Sequence, residues 1–271
     1  MNLFDLMGGR KRFAKKFVPR AAILRSDSGF TLQEAYKATR TNVMFAFAGQ
    51  DEGVAKVIAV TSAEPGAGKS TNTVNLAITF AKTGCRVLLI DADLRCATVH
   101  QYLEVKNKRG LSNVLGGFST FEETVNHSDE YHLDYLTAGS VPPNPSELLA
   151  SPKMQQMLDG LKDQYDYIFI DTPPIGVVTD AVILAKIATG TILVARKGYT
   201  TYEALRRTLR SIEMVGVRPI GVILIASNES VHYGGLGGYN YYHSKKHSYE
   251  DPHFGDEVEI EETTENSQNN D

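Results

Sequence analysis

Short, mostly apolar runs of strand length alternate along this chain with stretches whose apolar residues recur at helical spacing. The runs are Val57–Ser62, Arg86–Ile90, Leu133–Leu136, Tyr167–Ile170, Thr191–Ala195 and Ile220–Ile225. Runs of this kind, without in–out alternation, are the pattern of strands buried on both faces. The expected fold is therefore α/β, a mostly parallel sheet covered by helices on both faces. A helical stripe at Leu32, Ala35, Tyr36, Val43 and Phe47 begins after Thr31, which forms a capping-box pattern with Glu34. Val74, Ala77, Ile78 and Ala81 mark a second helix. Residues 99–127 read as short helices and loops, the Pro142–Pro145 turn leads into helices ending near Lys162, and another helix lies near Tyr202–Val215. No stretch repeats another.

Between the first run and the second helix stands Ala63-Glu64-Pro65-Gly66-Ala67-Gly68-Lys69-Ser70-Thr71. Strand, glycine turn and helix in this order form a P-loop. Backbone N–H groups of residues 66–71 can close around phosphate oxygens, and the helix N-terminus aims its dipole at the same anion. Lys69 supplies a mobile charge for the outer phosphates, and the Ser70 hydroxyl can ligate Mg²⁺. Gly66, Ala67, Gly68, Lys69, Ser70 and Thr71 are the expected nucleotide-binding residues. The pattern departs from its usual form at the first position, where Ala63 replaces glycine.

Composition sharpens the picture at the two ends. The 271 residues are 42% hydrophobic, enough for one large domain, and the net charge of −4 gives no argument for nucleic-acid binding. Residues 8–25 carry seven basic residues and no acid, whereas residues 250–271 carry nine acids and no Lys or Arg. The basic stretch reads either as a solvated arm or as a contact for anionic lipid or an acidic partner. Cys85 and Cys96 lack CxxC spacing, which fits a reducing cytoplasm, and no apolar run approaches the ~18 residues of a membrane-spanning helix. The expected organisation is a basic arm at 1–30, a P-loop domain at 31–228 and a flexible tail at 229–271.

Asp91, Asp93 and Asp171 fall where apolar strands end, the side on which an open α/β sheet binds its ligand. Asp171 follows an apolar run as a Walker B aspartate does and would hold Mg²⁺ through water. A hydroxyl that accepts a phosphoryl group gives up its proton, and a carboxylate within reach would help take it. Asp91 is a candidate for that base and Asp93 for the metal side with Ser70, and the two roles can be exchanged. Beyond Asn228, a candidate adenine contact, Tyr233, Tyr239, Tyr241, Tyr242 and Tyr249 crowd a glycine-rich segment. His243 and His247 there have metal-ligand spacing on a flexible segment.

Ile-Asp-Ala-Asp-Leu-Arg, the Ser62–Thr71 stretch and Phe-Ile-Asp-Thr-Pro-Pro together make the chain resemble the bacterial protein-tyrosine kinases (BY-kinases) of capsule and exopolysaccharide synthesis, in their separate Gram-positive form. The resemblance implies a P-loop NTPase fold of the ParA/MinD type, ATP and Mg²⁺ as cofactors, and catalysis by Lys69, Asp91, Asp93 and Asp171. It implies autophosphorylation of the five tail tyrosines, and a homo-oligomeric ring joined through the helix bearing Glu34, Lys37 and Arg40. It further implies a transmembrane activator of polysaccharide co-polymerase type that recruits a cytoplasmic protein to the membrane, and a phosphotyrosine phosphatase. A partitioning or septum-positioning ATPase is the nearest alternative, but its signature lysine is replaced here by Glu64. A non-catalytic nucleotide switch is the other.

Overall fold

The computed structural model describes residues 22–50 and 53–225. In chain order the elements are α1 (Phe30–Ala46), β1 (Lys56–Ser62), α2 (Lys69–Ala81), β2 (Val87–Asp91), α3 (Val99–Tyr102), α4 (Leu111–Leu115), β3 (Asn126–Ser128) and β4 (Leu133–Leu136). They continue with α5 (Pro145–Leu149), α6 (Pro152–Leu161), β5 (Tyr167–Asp171), α7 (Asp180–Ile187), β6 (Gly190–Arg196), α8 (Tyr202–Met214) and β7 (Pro219–Ile225).

The strands form one sheet in the order β3-β4-β2-β5-β1-β6-β7. Only the β3–β4 pair is antiparallel, so six strands run the same way and their C-terminal ends share one rim. β1 lies between β5 and β6, with Val60 opposite Asp171. Asp91 in turn stands opposite Asp171 across the β2–β5 pair. The register thus brings the P-loop and both strand-end aspartates to adjacent strands.

Each sheet face has its own apolar layer. Phe80, Phe169, Ile78 and Leu89 pack on the face covered by α1 and α2, and Leu88, Ile90, Ile168 and Leu158 on the other. α2 carries an unusual load of polar residues for a helix without exposure, and each has a partner. Thr73 Oγ1 donates to the Lys69 carbonyl at 2.8 Å and Thr79 Oγ1 to the Asn75 carbonyl at 2.6 Å. Asn75 Nδ2 donates to Tyr36 Oη at 3.0 Å and to the Ala22 carbonyl at 2.9 Å, while Asn75 Oδ1 accepts the Leu24 N–H at 2.8 Å. Satisfied in this way, the polar groups escape the cost of burial without a partner.

Several expectations change. Residues 22–25 do not belong to a solvated arm, because Ile23 and Leu24 are core residues held by Asn75. α1 begins at Phe30 after Gly29, with no side-chain cap, so Thr31 and Glu34 form no capping box, and Glu34 pairs with Lys37 at 2.6 Å. The core side of α1 is Tyr36, Val43 and Phe47, while Leu32 and Ala35 are exposed. Arg40 does not extend the charged ladder, since its Nη1 donates to the Thr79 carbonyl at 3.1 Å and ties α1 to α2. Helix α7 and strand β3 were not anticipated. The basic residues before 22, Asn228, the tail tyrosines and His243/His247 lie outside the described residues.

Because Asn75 joins the 22–25 strap, α1 and α2 at one point, Asn75→Ala is expected to destabilise the protein by about 1–3 kcal/mol through stranded buried groups. Urea unfolding measures this, and a loss below about 0.5 kcal/mol would show that the strap holds without it.

Candidate nucleotide and metal site

The loop between β1 and α2 takes its shape from two glycines. Gly66 and Gly68 have φ of 79° and 89°, in the left-handed region that a side chain disfavours. At Gly68 a Cβ would also fall 2.5 Å from Ile225 Cδ1, so the end of β7 closes directly on the loop. Ala63, by contrast, is not among the residues with positive φ, so its methyl is compatible with the loop. The missing first glycine costs nothing there.

Lys69 is almost fully buried, and its ammonium lies among carboxylates. Nζ is 3.0 Å from Asp93 Oδ2, 3.6 Å from Asp171 Oδ1 and 3.0 Å from Ser70 Oγ. Burial alone would lower the lysine pKa, but Asp171 and Asp93 outweigh it and hold the group above its ordinary value. Asp91 is pushed up to about 8, first by burial and then by repulsion from Asp171, with Lys69 opposing. Burial raises Asp171 as well, against the pull of Lys69. Three carboxylates thus share one ammonium in a region of low dielectric.

The two aspartates after β2 divide their oxygens differently. Asp91 Oδ2 accepts the N–H groups of Thr98 and Val99 at 3.1 and 3.0 Å, and its Oδ1 accepts the Asp93 N–H at 3.2 Å. Asp93 Oδ1 accepts the Cys96 N–H at 3.0 Å, which leaves Oδ2 to Lys69. The pair therefore folds its own loop as well as facing the site. Asp171 Oδ2 is buried without a hydrogen-bond partner, although Thr73 Oγ1 reaches Oδ1 at 3.4 Å. An orphaned carboxylate oxygen beside a Ser hydroxyl, on the rim facing a phosphate cradle, is the donor set of a hard divalent cation and its waters. The residues fit Mg²⁺ with a nucleotide.

Two tyrosines missed in the sequence support the loop. Tyr199 Oη donates to the Pro65 carbonyl at 2.8 Å, and the Tyr102 and Thr71 hydroxyls are 2.8 Å apart. Both contacts span segments distant in sequence, and no local pattern announces them.

Residues 55–218 match the family model described as an AAA domain. The tyrosine-protein kinase YwqD of Bacillus subtilis (strain 168) is 41% identical over 212 residues, covering 78% of this chain and 86% of its own length. The chain belongs to the bacterial tyrosine-protein kinases. The solved kinase domain of the Escherichia coli tyrosine kinase ETK superposes with a TM-score of 0.72 at 33% identity, over 84% of this chain and 88% of that one. The septum site-determining protein MinD from Pyrococcus horikoshii OT3, complexed with Mg-ADP, follows with a TM-score of 0.55 and 27% identity over 63% of this chain and 70% of its own. The expected P-loop fold of the MinD type and the kinase assignment both hold, and a nucleotide-binding fold is established. Among the described residues no helix is long and apolar enough to cross a membrane.

The raised carboxylates set a pH dependence. An unfolded aspartate loses its proton near pH ~4, whereas folded Asp91 keeps one up to about 8, so the unfolded state binds fewer protons between those values. In EDTA, the stability of the wild type relative to Asp91→Asn is expected to fall as pH rises from 5 to 8. Thermal melts of both proteins across that range check it, and parallel curves would contradict the burial effect.

Proposed function

We propose that this kinase uses Mg²⁺-ATP to phosphorylate tyrosines of its own C-terminal tail, Tyr233, Tyr239, Tyr241, Tyr242 and Tyr249, in the service of surface-polysaccharide synthesis or export. The observation that carries the reading is Lys69 bridged to Asp93 and Asp171 at the mouth of a P-loop, with Asp171 Oδ2 unpartnered. Gly66, Ala67, Gly68, Thr71 and the α2 N-terminus would hold the phosphates, with Lys69 neutralising the outer ones. Ser70, Asp93 and Asp171 would hold the metal, and Asn228 would read the base. When bound, Mg²⁺-ATP supplies the γ-phosphoryl group and a divalent charge to offset the clustered carboxylates. One carboxylate of the Asp91–Asp93 pair would accept the proton that leaves the tyrosine Oη as that oxygen bonds to the γ-phosphorus and the bond from phosphorus to the departing ADP oxygen breaks. The capsule or exopolysaccharide role rests on the family resemblance.

The proposed assembly is a closed ring in which tails are modified in trans. α1 offers the surface: Phe30, Leu32, Met44 and Phe45 are exposed beside Glu34, Lys37 and Arg40. The Glu34–Lys37 pair would add only about 0.2–0.5 kcal/mol as a solvated contact, and across an interface such charges set orientation. Phosphotyrosine adds about −1.5 to −2 charge apiece to tails already acidic, which drives the ring apart. A transmembrane activator with a short inner-face segment would recruit and stimulate the kinase, the basic stretch 8–25 being one contact for the partner or the lipid surface. A phosphotyrosine phosphatase would reset it.

Lys69→Met is expected to fold and to give no phosphotyrosine after incubation with Mg²⁺-ATP, whereas the wild type is modified at the tail tyrosines. Blotting and peptide mapping test this, and full modification of a folded Lys69→Met, or most phosphate on Tyr135, Tyr165 or Tyr167, would refute it. The Glu34→Ala/Lys37→Ala/Arg40→Ala protein is expected to be monomeric by light scattering and poorly modified at low concentration. A wild type that stays monomeric at every concentration would remove the ring.

A further inference from the structure

Arg95 stands two residues after Asp93, on the loop that leaves β2, and its guanidinium bonds no residue of the phosphate cradle. It reaches instead to Asp180, the first residue of α7, whose carboxylate is completely buried. Arg95 Nε donates to Asp180 Oδ2 at 2.8 Å, and Nη2 lies 3.4 Å from Oδ1. The same Nη2 donates to Ser146 Oγ on α5 at 2.8 Å, and that hydroxyl donates to Asp180 Oδ1 at 2.5 Å. Three segments therefore meet on one carboxylate: the loop carrying Asp93, helix α5, and the helix that follows the loop after Asp171.

We infer that Arg95, Asp180 and Ser146 form a latch that fixes the spacing between Asp93 and Asp171 and so sets the metal affinity of the site. Arg95 is a positioning residue in this scheme. The inference deepens the reading of Asp93 and Asp171 as metal-side residues and rests on it. Asp93 itself is held by Lys69, at the start of α2, and by the Cys96 N–H within its own loop. The Ala92 N–H donates to the Asp171 carbonyl at 2.8 Å and ties the start of that loop to β5, and beyond Asp93 the loop needs a second tie to the Asp171 side. The guanidinium fork supplies such a tie, since it engages both oxygens of Asp180 and cannot slide along them as an ammonium can. A simpler role, in which Arg95 only neutralises a buried carboxylate, predicts lower stability with no change at the metal.

The two roles separate in a binding experiment that needs no turnover. A fluorescent ADP analogue is titrated into the full-length protein in EDTA and again in Mg²⁺, and the gain in affinity due to Mg²⁺ is compared among variants. For Arg95→Ala, folded by circular dichroism, the affinity in EDTA is expected to stay within about twofold of wild type, since the P-loop is untouched. The gain from Mg²⁺ is expected to shrink about 10-fold or more, as for other residues that orient metal ligands without touching the metal. Arg95→Lys, charged but without the fork, should fall between the two. Asp180→Asn should shift the gain in the same direction, and the double variant should be no worse than Arg95→Ala, because both changes break one interaction. If Arg95→Ala does not fold, Arg95→Lys and Ser146→Ala decide the question, each expected to lose part of the gain.

An undiminished Mg²⁺ gain in folded Arg95→Ala, or in both milder variants, would overturn the latch and leave Arg95 a purely stabilising residue. A wild type whose ADP affinity ignores Mg²⁺ would instead remove the metal reading on which the latch depends. The two failures are thus distinguishable by the behaviour of the wild type alone.

Discussion

One ammonium among three buried carboxylates is the constraint to which the rest of this protein answers. Lys69 contacts Asp93 and Asp171 directly, while Asp91, opposite Asp171 in the sheet, places a further buried carboxyl group behind them. A core built only for stability would avoid this cluster, since removing charges from water is expensive even when they are paired. The imbalance makes sense at a place prepared for a cation. Elsewhere the core is made of Phe, Ile, Leu and Val on both sheet faces, and that apolar mass holds the charged cluster in place.

The supports around the cluster are polar and cross-linked over long sequence distances. α2 carries Asn72, Thr73, Asn75 and Thr79 inside the protein, each engaged by a backbone or hydroxyl partner. Tyr199 holds the Pro65 carbonyl from the loop after β6, and Tyr102 meets the Thr71 hydroxyl from α3. Gly176 packs so closely on the Ala63 carbonyl that a side chain there would collide with it. The loop that would hold phosphate is therefore braced from three directions. Its shape is already built in, which limits the reorganisation that nucleotide binding requires.

The sheet and the P-loop were legible because buried parallel strands and glycine turns write themselves locally. Val57–Ser62 and Tyr167–Ile170 could scarcely be anything but central strands, and Gly66 and Gly68 have the backbone angles their position implied. What stayed hidden depends on distant partners. The apolar spacing in α1 suggested that Leu32 and Ala35 face inward, but the geometry of its seat on α2 turns Tyr36, Val43 and Phe47 to the core. Thr31 had a suitable capping partner in sequence, yet the cap falls two residues earlier, at Gly29, and Glu34 bonds Lys37. α7 is eight residues long with a weak stripe at Ala181, Leu184 and Ala185, too short for periodicity to declare it. Arg95 was visible as part of a motif, but its partner Asp180 lies 85 positions away.

The central place of β1 has a consequence for how the molecule comes into being. Its neighbours β5 and β6 are made more than a hundred residues later, as the Thr61-to-Pro173 bond across 112 positions illustrates. During synthesis the glycine loop emerges early, yet the strand that carries it has no partner until most of the chain is out. Such non-local pairing is slow and leaves apolar strands exposed in the interval. A ligand that needs the finished rim stabilises only chains that have completed the sheet, by mass action. A chain stalled before β6 has no such rim and gains nothing from that linkage.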